Sequence, residues 1–238
     1  MQYKEFKKLY AGSRQDITRE IFHKNQKFIR IKKEKTAVNN LEKIFDAVFS
    51  ITYKKGFQAM SMRDLSQKTG MSLGALYAYF PGKKKLFSII QSQGDFMIKE
   101  MLEQFSNAHE DPLEKLKAVI KAHLFLSELF RPWFYFIFME ARNIEPAEFK
   151  VVSSMEKNTL KILTDILVLG EKQGIFKPGN QELTACMIKA MQQEWYLKRW
   201  KYRKMKVSVD QFTDHLINMV EDFCLVLEQP EPAKKQAE

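Results

Sequence analysis

Residues 60–86, MSMRDLSQKTGMSLGALYAYFPGKKKL, decide the fold of this chain. They are predicted to form two short helices joined by a tight turn, followed by a basic step into a third helix. Ser61 is placed to cap the first helix, and Asp64 three residues later complements its free N–H groups. Gly70 falls where this helix must end, a position that favours a residue tolerant of positive φ. Ser72 can then cap the second helix.

The second helix of this segment is predicted to have an inward and an outward face. Leu76 and Phe80 lie four residues apart, so they share one face and can pack inward. The arrangement is a helix-turn-helix, which lays a helix into the major groove of DNA. The positions left on more exposed faces are Leu73, Ala75, Tyr77 and Ala78.

About a dozen ordered positions between Leu41 and Leu86 extend this pattern beyond a lone helix-turn-helix. In these positions the chain resembles the DNA-binding domain of the tetracycline-repressor (TetR) family of bacterial transcription regulators. The resemblance implies an all-α fold, with an N-terminal helix-turn-helix domain and a C-terminal helical domain for ligand binding and dimerisation. The matching residues include Ala47, Phe49, Gly56, Phe57, Arg63, Asp64, Leu65, Gly70, Met71, Ser72, Leu76, Tyr77, Tyr79, Phe80 and Lys83.

The resemblance also implies which side chains face DNA. Arg63 is the main candidate for a guanine contact, because a guanidinium fork matches O6 and N7; the alternatives are a phosphate contact or an ion pair within the domain. Leu73 and Ala75 cannot hydrogen-bond a base, but they can touch thymine methyl groups. Tyr79 and Lys83 match positions that hold the sugar-phosphate backbone. The full predicted set is Arg63, Ser72, Leu73, Ala75, Tyr77, Ala78, Tyr79 and Lys83.

The charge of the chain is concentrated next to this DNA reader. The net charge is +10, and residues 1–36 contain eleven Lys and Arg against four Asp and Glu. Such a local excess favours a role with phosphate. The alternative is a solvated charged face on a helix that only packs on the domain.

No apolar run is long enough to span a membrane, and the first ten residues contain no signal-peptide apolar region. We therefore predict a cytoplasmic protein without a membrane partner. The two cysteines, Cys186 and Cys224, fall among apolar neighbours and are expected to be buried, reduced thiols.

The chain divides into four predicted regions: a basic and partly helical extension over 1–36, the helix-turn-helix domain over 37–86, the effector and dimerisation domain over 87–230, and a tail over 231–238. Apolar spacing predicts one helix in the extension, over 16–33. The other predicted helices, besides the two readers, cover 38–55, 83–107, 111–130, a following stretch to 143, a stretch ending at 170–174, 181–204 and 209–228.

Polar side chains interrupt the apolar helices of the C-terminal domain, as expected of a small-molecule pocket. The family resemblance implies an effector pocket there, although a packed core and dimer interface explain most of these residues. Abundant Met and Phe suit a flexible hydrophobic ligand. Residues 140–142, Glu-Ala-Arg, are similar to a segment of fatty-acid-responsive members. The candidate pocket residues are His123, Phe125, Trp133, Phe136, Glu140, Met191 and Trp195.

The effector class stays open at this stage. A fatty acid or acyl-CoA is one candidate, with the basic run over 198–204 as a phosphate site or a solvated helix end. A planar aromatic or cationic compound, as expected of a regulator of efflux or detoxification, is the alternative. The family implies a homodimer that is released by its effector from a palindromic double-stranded operator.

Enzymatic function is not predicted. The four histidines have no metal-binding spacing, and no phosphate-binding glycine loop or nucleophile elbow occurs. We therefore predict no catalytic residues, no metal and no cofactor. A structural protein that binds all DNA alike is the remaining alternative, whereas a specific regulator prefers its operator by about 10³ or more.

Overall fold

The computed structural model describes residues 1–10, 12–140 and 146–226. Within these ranges the fold is all-α, as predicted, and the only β pairing is an isolated antiparallel bridge between Phe176 and Leu225. The side chains of residue 13 and of residues 146–155 lie outside the description. The helices are α1 Tyr3–Leu9, α2 Ser13–Lys24, α3 Glu34–Lys55, α4 Met62–Thr69, α5 Leu73–Tyr77, α6 Lys83–Asn107, α7 Pro112–Leu129, α8 Arg131–Glu140, α9 Pro146–Lys172, α10 Gln181–Leu197, α11 Arg199–Lys204 and α12 Val209–Cys224.

The helix ends that were predicted from capping residues and prolines nearby in the sequence are confirmed. The long helix α6 has the predicted bounds, and α7 begins with Asp111 as its cap and Pro112 in its first turn. Ser208 forms a capping box with Gln211 at the start of α12. Short-range signals of this kind therefore place most helix ends within a few residues.

Two hydrophobic cores lie at opposite ends of α6. The first core packs α2, α3, α4 and α5 around residues such as Ile44, Leu65 and Phe80. The second core packs α1, α7, α9, α10 and α12 around residues such as Val119 and Trp195. Helix α8 contributes side chains to both cores, so it lies between the helix-turn-helix domain and the C-terminal domain.

The extension contains two helices, where one was predicted over 16–33; the second of them, α2, already ends at Lys24. Phe6 of α1 is fully buried against Phe105 and Phe125 of the C-terminal domain. Ile21 and Phe22 of α2 are buried in the core of the helix-turn-helix domain. The extension therefore spans both domains. The prediction missed α1 because its packing partners are about a hundred residues away along the chain.

Three further expectations need correction. The predicted helix over 181–204 is two helices, because Lys198 has a non-helical backbone and separates α10 from α11. Helix α12 ends at Cys224, four residues early, because Leu225 turns to pair with Phe176. Cys186 is exposed, although Cys224 is buried as expected. The predicted end of α8 at 143 and the tail over 231–238 lie outside the described residues.

Candidate DNA-binding surface and effector cavity

A capping box fixes the start of α4. The Ser61 Oγ accepts a hydrogen bond from the Asp64 backbone N–H at 3.2 Å, and the Asp64 carboxylate accepts the Ser61 N–H at 2.7 Å. The Lys55 ammonium lies 2.8 Å from the same carboxylate. These partners, chiefly Lys55, hold the pKa of Asp64 well below its usual range. The box therefore stays intact across the physiological pH range.

The turn and the reader helix α5 follow the predicted chemistry. Gly70 ends α4 with a left-handed φ of 67°, a conformation that a side chain rarely adopts. The Ser72 Oγ caps α5 by accepting the Ala75 N–H at 3.1 Å. Leu76 and Phe80 are fully buried beneath it. This packing presents the opposite face of α5 to solvent.

The outward residues include most of the predicted DNA contacts. Arg63 is exposed and, among the described residues, makes no hydrogen bond or ion pair, so the alternative of an ion pair within the domain is not observed. Leu73 and Tyr77 are 36% and 47% exposed and lie four residues apart on one face. Ala75 and Ala78 are partly buried beside them.

The two side chains that were predicted to contact the sugar-phosphate backbone of DNA, Tyr79 and Lys83, are engaged within the protein. Tyr79 is 1% exposed, and its hydroxyl accepts a hydrogen bond from the Asn40 side chain at 2.8 Å. In this conformation Tyr79 packs inside the domain. The Lys83 ammonium donates to the Gln58 carbonyl at 2.8 Å and lies over the Phe57 ring. Lys83 therefore ties the start of α6 to the loop before α4.

The basic extension ends beside the reader helix. The Arg30 backbone N–H donates to the Ala78 carbonyl at 2.8 Å, directly after α5. Ile29 anchors this segment in the core, and Lys85 of α6 lies 4.2 Å over the Phe28 ring. The exposed Arg30 side chain thus lies next to the predicted DNA-facing surface.

Three predicted pocket residues connect α8 to the helix-turn-helix domain. The Trp133 ring lies edge-on to Phe49 of α3, with centroids 5.8 Å apart. Phe136 packs edge-on against Phe57 at 5.4 Å. The Glu140 Oε1 accepts the Phe57 backbone N–H at 2.9 Å, just before α4. These side chains form an interdomain contact, which we call the α8 bridge (Trp133, Phe136 and Glu140).

Three other predicted pocket residues lie in the core of the C-terminal domain. Phe125 packs against Phe6, and Trp195 is fully buried between Tyr202 and Phe212. Met191 is partly buried against the same core. Helical spacing identified these residues as inward-facing, but spacing does not distinguish a packed core from a cavity wall.

A cavity of about 220 Å³ does exist, and of the predicted residues it includes His123. It lies between α6, α7, α8, α9 and α10. Acidic and amide side chains, including Asp95 and Glu156, line it together with Lys99 and the deeply buried Lys189. Its apolar walls are Ile98, Phe134, Ile137, Phe138 and Tyr196.

The buried polar pair of this cavity is Lys189 and His123. The Lys189 Nζ lies 2.8 Å from the His123 Nε2. Burial lowers the pKa of Lys189 to about 8 and, with the Lys189 charge, lowers that of His123 well below 6.5. Because an ammonium only donates, Nε2 must accept and the imidazole proton lies on Nδ1. That buried Nδ1 has no partner among the described residues.

Sequence reasoning missed Lys189, although a signal was present. Ala185, Ile188 and Gln192 form the buried face of α10. Lys189 follows Ala185 by four residues and precedes Gln192 by three, so it must share that face. A lysine on an inward face, with no carboxylate at helical spacing, indicates a buried cation.

Sequence models of known families match both halves of the chain. The model described as bacterial regulatory proteins, tetR family, matches residues 44–89. A second, described as tetracyclin repressor-like, C-terminal domain, matches residues 109–222. The chain belongs to the TetR family of bacterial transcriptional regulators. Members bind operator DNA and small-molecule effectors, typically as dimers, and the chain is a regulator and not an enzyme.

Two curated relatives are uncharacterised HTH-type transcriptional regulators. An HTH-type regulator in the lacX 3′ region of Lactococcus lactis is 31% identical over 34% of this chain and 42% of its own length. YhgD of Bacillus subtilis is 28% identical over 64% of this chain and 80% of its own length. The match with the first relative thus spans less than half of that protein.

Solved structures share the TetR fold at low identity. The ketosteroid regulator KstR2 of Mycobacterium tuberculosis has a TM-score of 0.70 and 17% identity, over 84% of this chain and 98% of its own. FadR of Bacillus subtilis in complex with stearoyl-CoA has a TM-score of 0.61 and 21% identity, over 75% and 96%. These similarities show the fold alone.

The described residues contain no cluster of three or more His, Cys, Asp or Glu side chains suited to a metal ion. Among the same residues, no helix is both long and apolar enough to cross a membrane.

Proposed function

We propose that this TetR-family protein is a homodimeric repressor, and that a small hydrophobic carboxylate bound in the cavity releases it from a palindromic operator. The observation that carries the proposal is the buried Lys189 ammonium, which donates to His123 at the wall of a cavity that also has a large apolar surface. The DNA-facing candidates are those that remain outward, namely Arg63, Ser72, Leu73 and Tyr77, with Ala75 and Ala78 beside them.

The buried Lys189 ammonium favours an anionic ligand. A carboxylate only accepts hydrogen bonds, so it can pair with this ammonium at the wall of the cavity. Such a charge-assisted pair gains strength in a low-dielectric interior. Asp95 and Glu156 also line the cavity, but Lys189 is its deeply buried charge, so we place an anionic head group there in preference to a cationic aromatic effector, which was the alternative class.

The volume of the cavity limits the size of the ligand that it can hold. Pockets for drug-sized ligands are usually about 300–1,000 Å³, and this one measures about 220 Å³. A short or medium acyl chain, or an acid with a single ring, suits this space. The stearoyl-CoA complex of FadR supports the acyl class as a relative of the same fold, while the smaller cavity favours a shorter chain here.

Helix α8 offers a physical route from the cavity to DNA. Phe134 and Phe138 line the cavity, whereas the α8 bridge (Trp133, Phe136 and Glu140) contacts the helix-turn-helix domain. A ligand that displaces α8 must therefore move the contact to Phe57, just before α4. Release follows if the ligand binds this displaced state more tightly than the DNA-bound state.

Exposed apolar side chains support a dimer through α10 and α12. Leu183 and Met187 on α10 are more than half exposed, as is Phe223 on α12. Large exposed patches of this kind mark protein interfaces. Pairing of these helices between two copies, as the family resemblance implies, would place the two readers about one DNA turn apart, roughly 34–36 Å.

Direct ligand titration tests this proposal. We would measure binding by calorimetry for straight-chain carboxylates from butyrate to palmitate, with the primary alcohol of each chain length as a matched control. We expect carboxylates of short or medium length to bind, and the alcohols to bind at least about tenfold more weakly, which is 1.4 kcal/mol. Equal affinity for acid and alcohol at every chain length would contradict an anionic head group.

A further inference from the structure

A second, larger cleft of about 590 Å³ lies between the two domains. Its walls come from the C-terminal half of α3, from α8, from the end of α10 and from α11. Only Tyr196 lines both this interdomain cleft and the smaller cavity of Lys189. The cleft is therefore a separate candidate site, and its volume falls within the usual range of about 300–1,000 Å³ for small ligands.

Unpaired cations surround the interdomain cleft. Lys54, Arg131 and Arg203 line it, and within the described part of the chain their side chains make no hydrogen bond or ion pair. Arg199 is held by Glu128 at 3.0 Å, and the acidic Asp46 is held by an arginine of the extension. The surplus charge of the cleft is therefore positive, and guanidinium groups match phosphate oxygens well.

Aromatic rings stand at the rim of the same cleft. Tyr53 of α3 is 73% exposed and Trp200 of α11 is 70% exposed. The Tyr53 ring lies 5.4 Å from the ring of Tyr135 on α8, centroid to centroid. Exposed rings of this kind provide stacking surfaces for a flat heterocycle.

Two buried polar atoms in the cleft walls lack partners. The Thr52 hydroxyl belongs to a residue only 5% exposed, and neither it nor the Arg199 Nη1 has a hydrogen-bond partner among the described residues. Buried polar groups are nearly always satisfied, so each exception needs an explanation. Because both atoms are enclosed, hydroxyl or phosphate oxygens of a ligand would satisfy them only after a movement of the cleft walls.

We infer that the interdomain cleft binds a nucleotide, with its base against the Tyr53 and Trp200 rings and its phosphates at Arg131 and Arg203. A free nucleotide and the nucleotide portion of a larger coenzyme share this chemistry. The ligand would contact α3 of the helix-turn-helix domain and α11 of the C-terminal domain at once. Its binding would therefore fix the relative position of the two domains, independently of the carboxylate in the smaller cavity.

Calorimetry on the full-length protein tests the inference. The probes are ADP, coenzyme A, adenosine and inorganic phosphate. We expect ADP to bind, and adenosine or phosphate alone to bind at least about tenfold more weakly, because each supplies only half of the contacts. Binding of both ADP and coenzyme A would identify a nucleotide site as such, and binding of coenzyme A alone would identify the nucleotide portion of a coenzyme.

A pair of matched variants tests whether the nucleotide binds in the interdomain cleft. Arg203→Gln should weaken the ADP or coenzyme A affinity about tenfold or more, since it removes a charge-assisted hydrogen bond to phosphate. Lys204→Gln, on the same helix but outside the cleft lining, should leave it unchanged. No binding of either nucleotide, or equal losses in the two variants, would overturn the inference. Carboxylate binding should be unchanged in both variants, so the nucleotide inference and the carboxylate proposal are tested independently of each other.

Discussion

Replacement of Lys189 by methionine should stabilise the protein and abolish carboxylate binding at the same time. Burial lowers the pKa of Lys189 from 10.5 to about 8. At about 1.4 kcal/mol per pKa unit, the charged form costs roughly 3 kcal/mol in the folded state. The variant avoids this cost but leaves the His123 Nε2 without its donor, a loss of about 1–3 kcal/mol. We expect a net gain in the free energy of unfolding of up to about 2 kcal/mol.

The stability difference between Lys189→Met and wild type depends on pH. Because the folded-state pKa is the lower one, the cost of the charged lysine is present below about pH 8 and disappears as pH rises from about 8 towards 10.5. Thermal unfolding at pH 7 should therefore occur at a temperature up to about 8 °C higher in Lys189→Met than in wild type. At higher pH this difference should shrink and then reverse, because the lost hydrogen bond to His123 remains.

The combination of higher stability and lost binding separates a ligand site from a damaged fold. Lys189→Arg keeps the cation and serves as the matched control, with carboxylate binding retained at least in part. A destabilised Lys189→Met protein, or one that binds the carboxylate as wild type does, would refute the reasoning.

Three other predictions follow from the geometry. Arg63→Ala should weaken operator binding by about 1–3 kcal/mol with little loss on unrelated DNA, as a base contact requires; fluorescence anisotropy on both DNAs checks this, and equal losses would indicate a phosphate contact. Glu140→Ala leaves the Phe57 N–H unpaired, so it should lower stability by about 1–3 kcal/mol and reduce effector-induced release while DNA binding persists; unchanged release would exclude the α8 bridge as the route. Carboxylate affinity should be constant below about pH 8 and fall by up to tenfold per pH unit above it, because the free protein loses the Lys189 proton there; a calorimetric titration at several pH values that showed a rise would contradict the assigned pairing.

The helix-turn-helix could be predicted because its determinants are local. Ser61, Gly70 and Ser72 each act on backbone groups within three residues, and the structure shows each at its expected place. Apolar spacing likewise identified Leu76 and Phe80 as buried. Interactions of this range are encoded in the order of the residues and need no knowledge of distant packing.

The location of the cavity could not be predicted in the same way. Trp133 and Trp195 are both inward-facing, but one packs on the helix-turn-helix domain and the other in the C-terminal core. The choice depends on how α8 is placed between two cores, a long-range property. Phe6 shows the same limit, since its burial requires Phe125. The inward position of Lys189 was encoded locally and was overlooked.

The most direct test of the central claim is a gel-shift experiment on DNA flanking the gene. The protein would be incubated at physiological salt with an excess of unrelated competitor DNA, with and without the carboxylate that binds best in calorimetry. We expect a discrete complex on one palindrome that the carboxylate dissolves and its matched alcohol does not. Uniform, salt-sensitive binding to every fragment, or a specific complex that no bound carboxylate disturbs, would contradict the proposed mechanism.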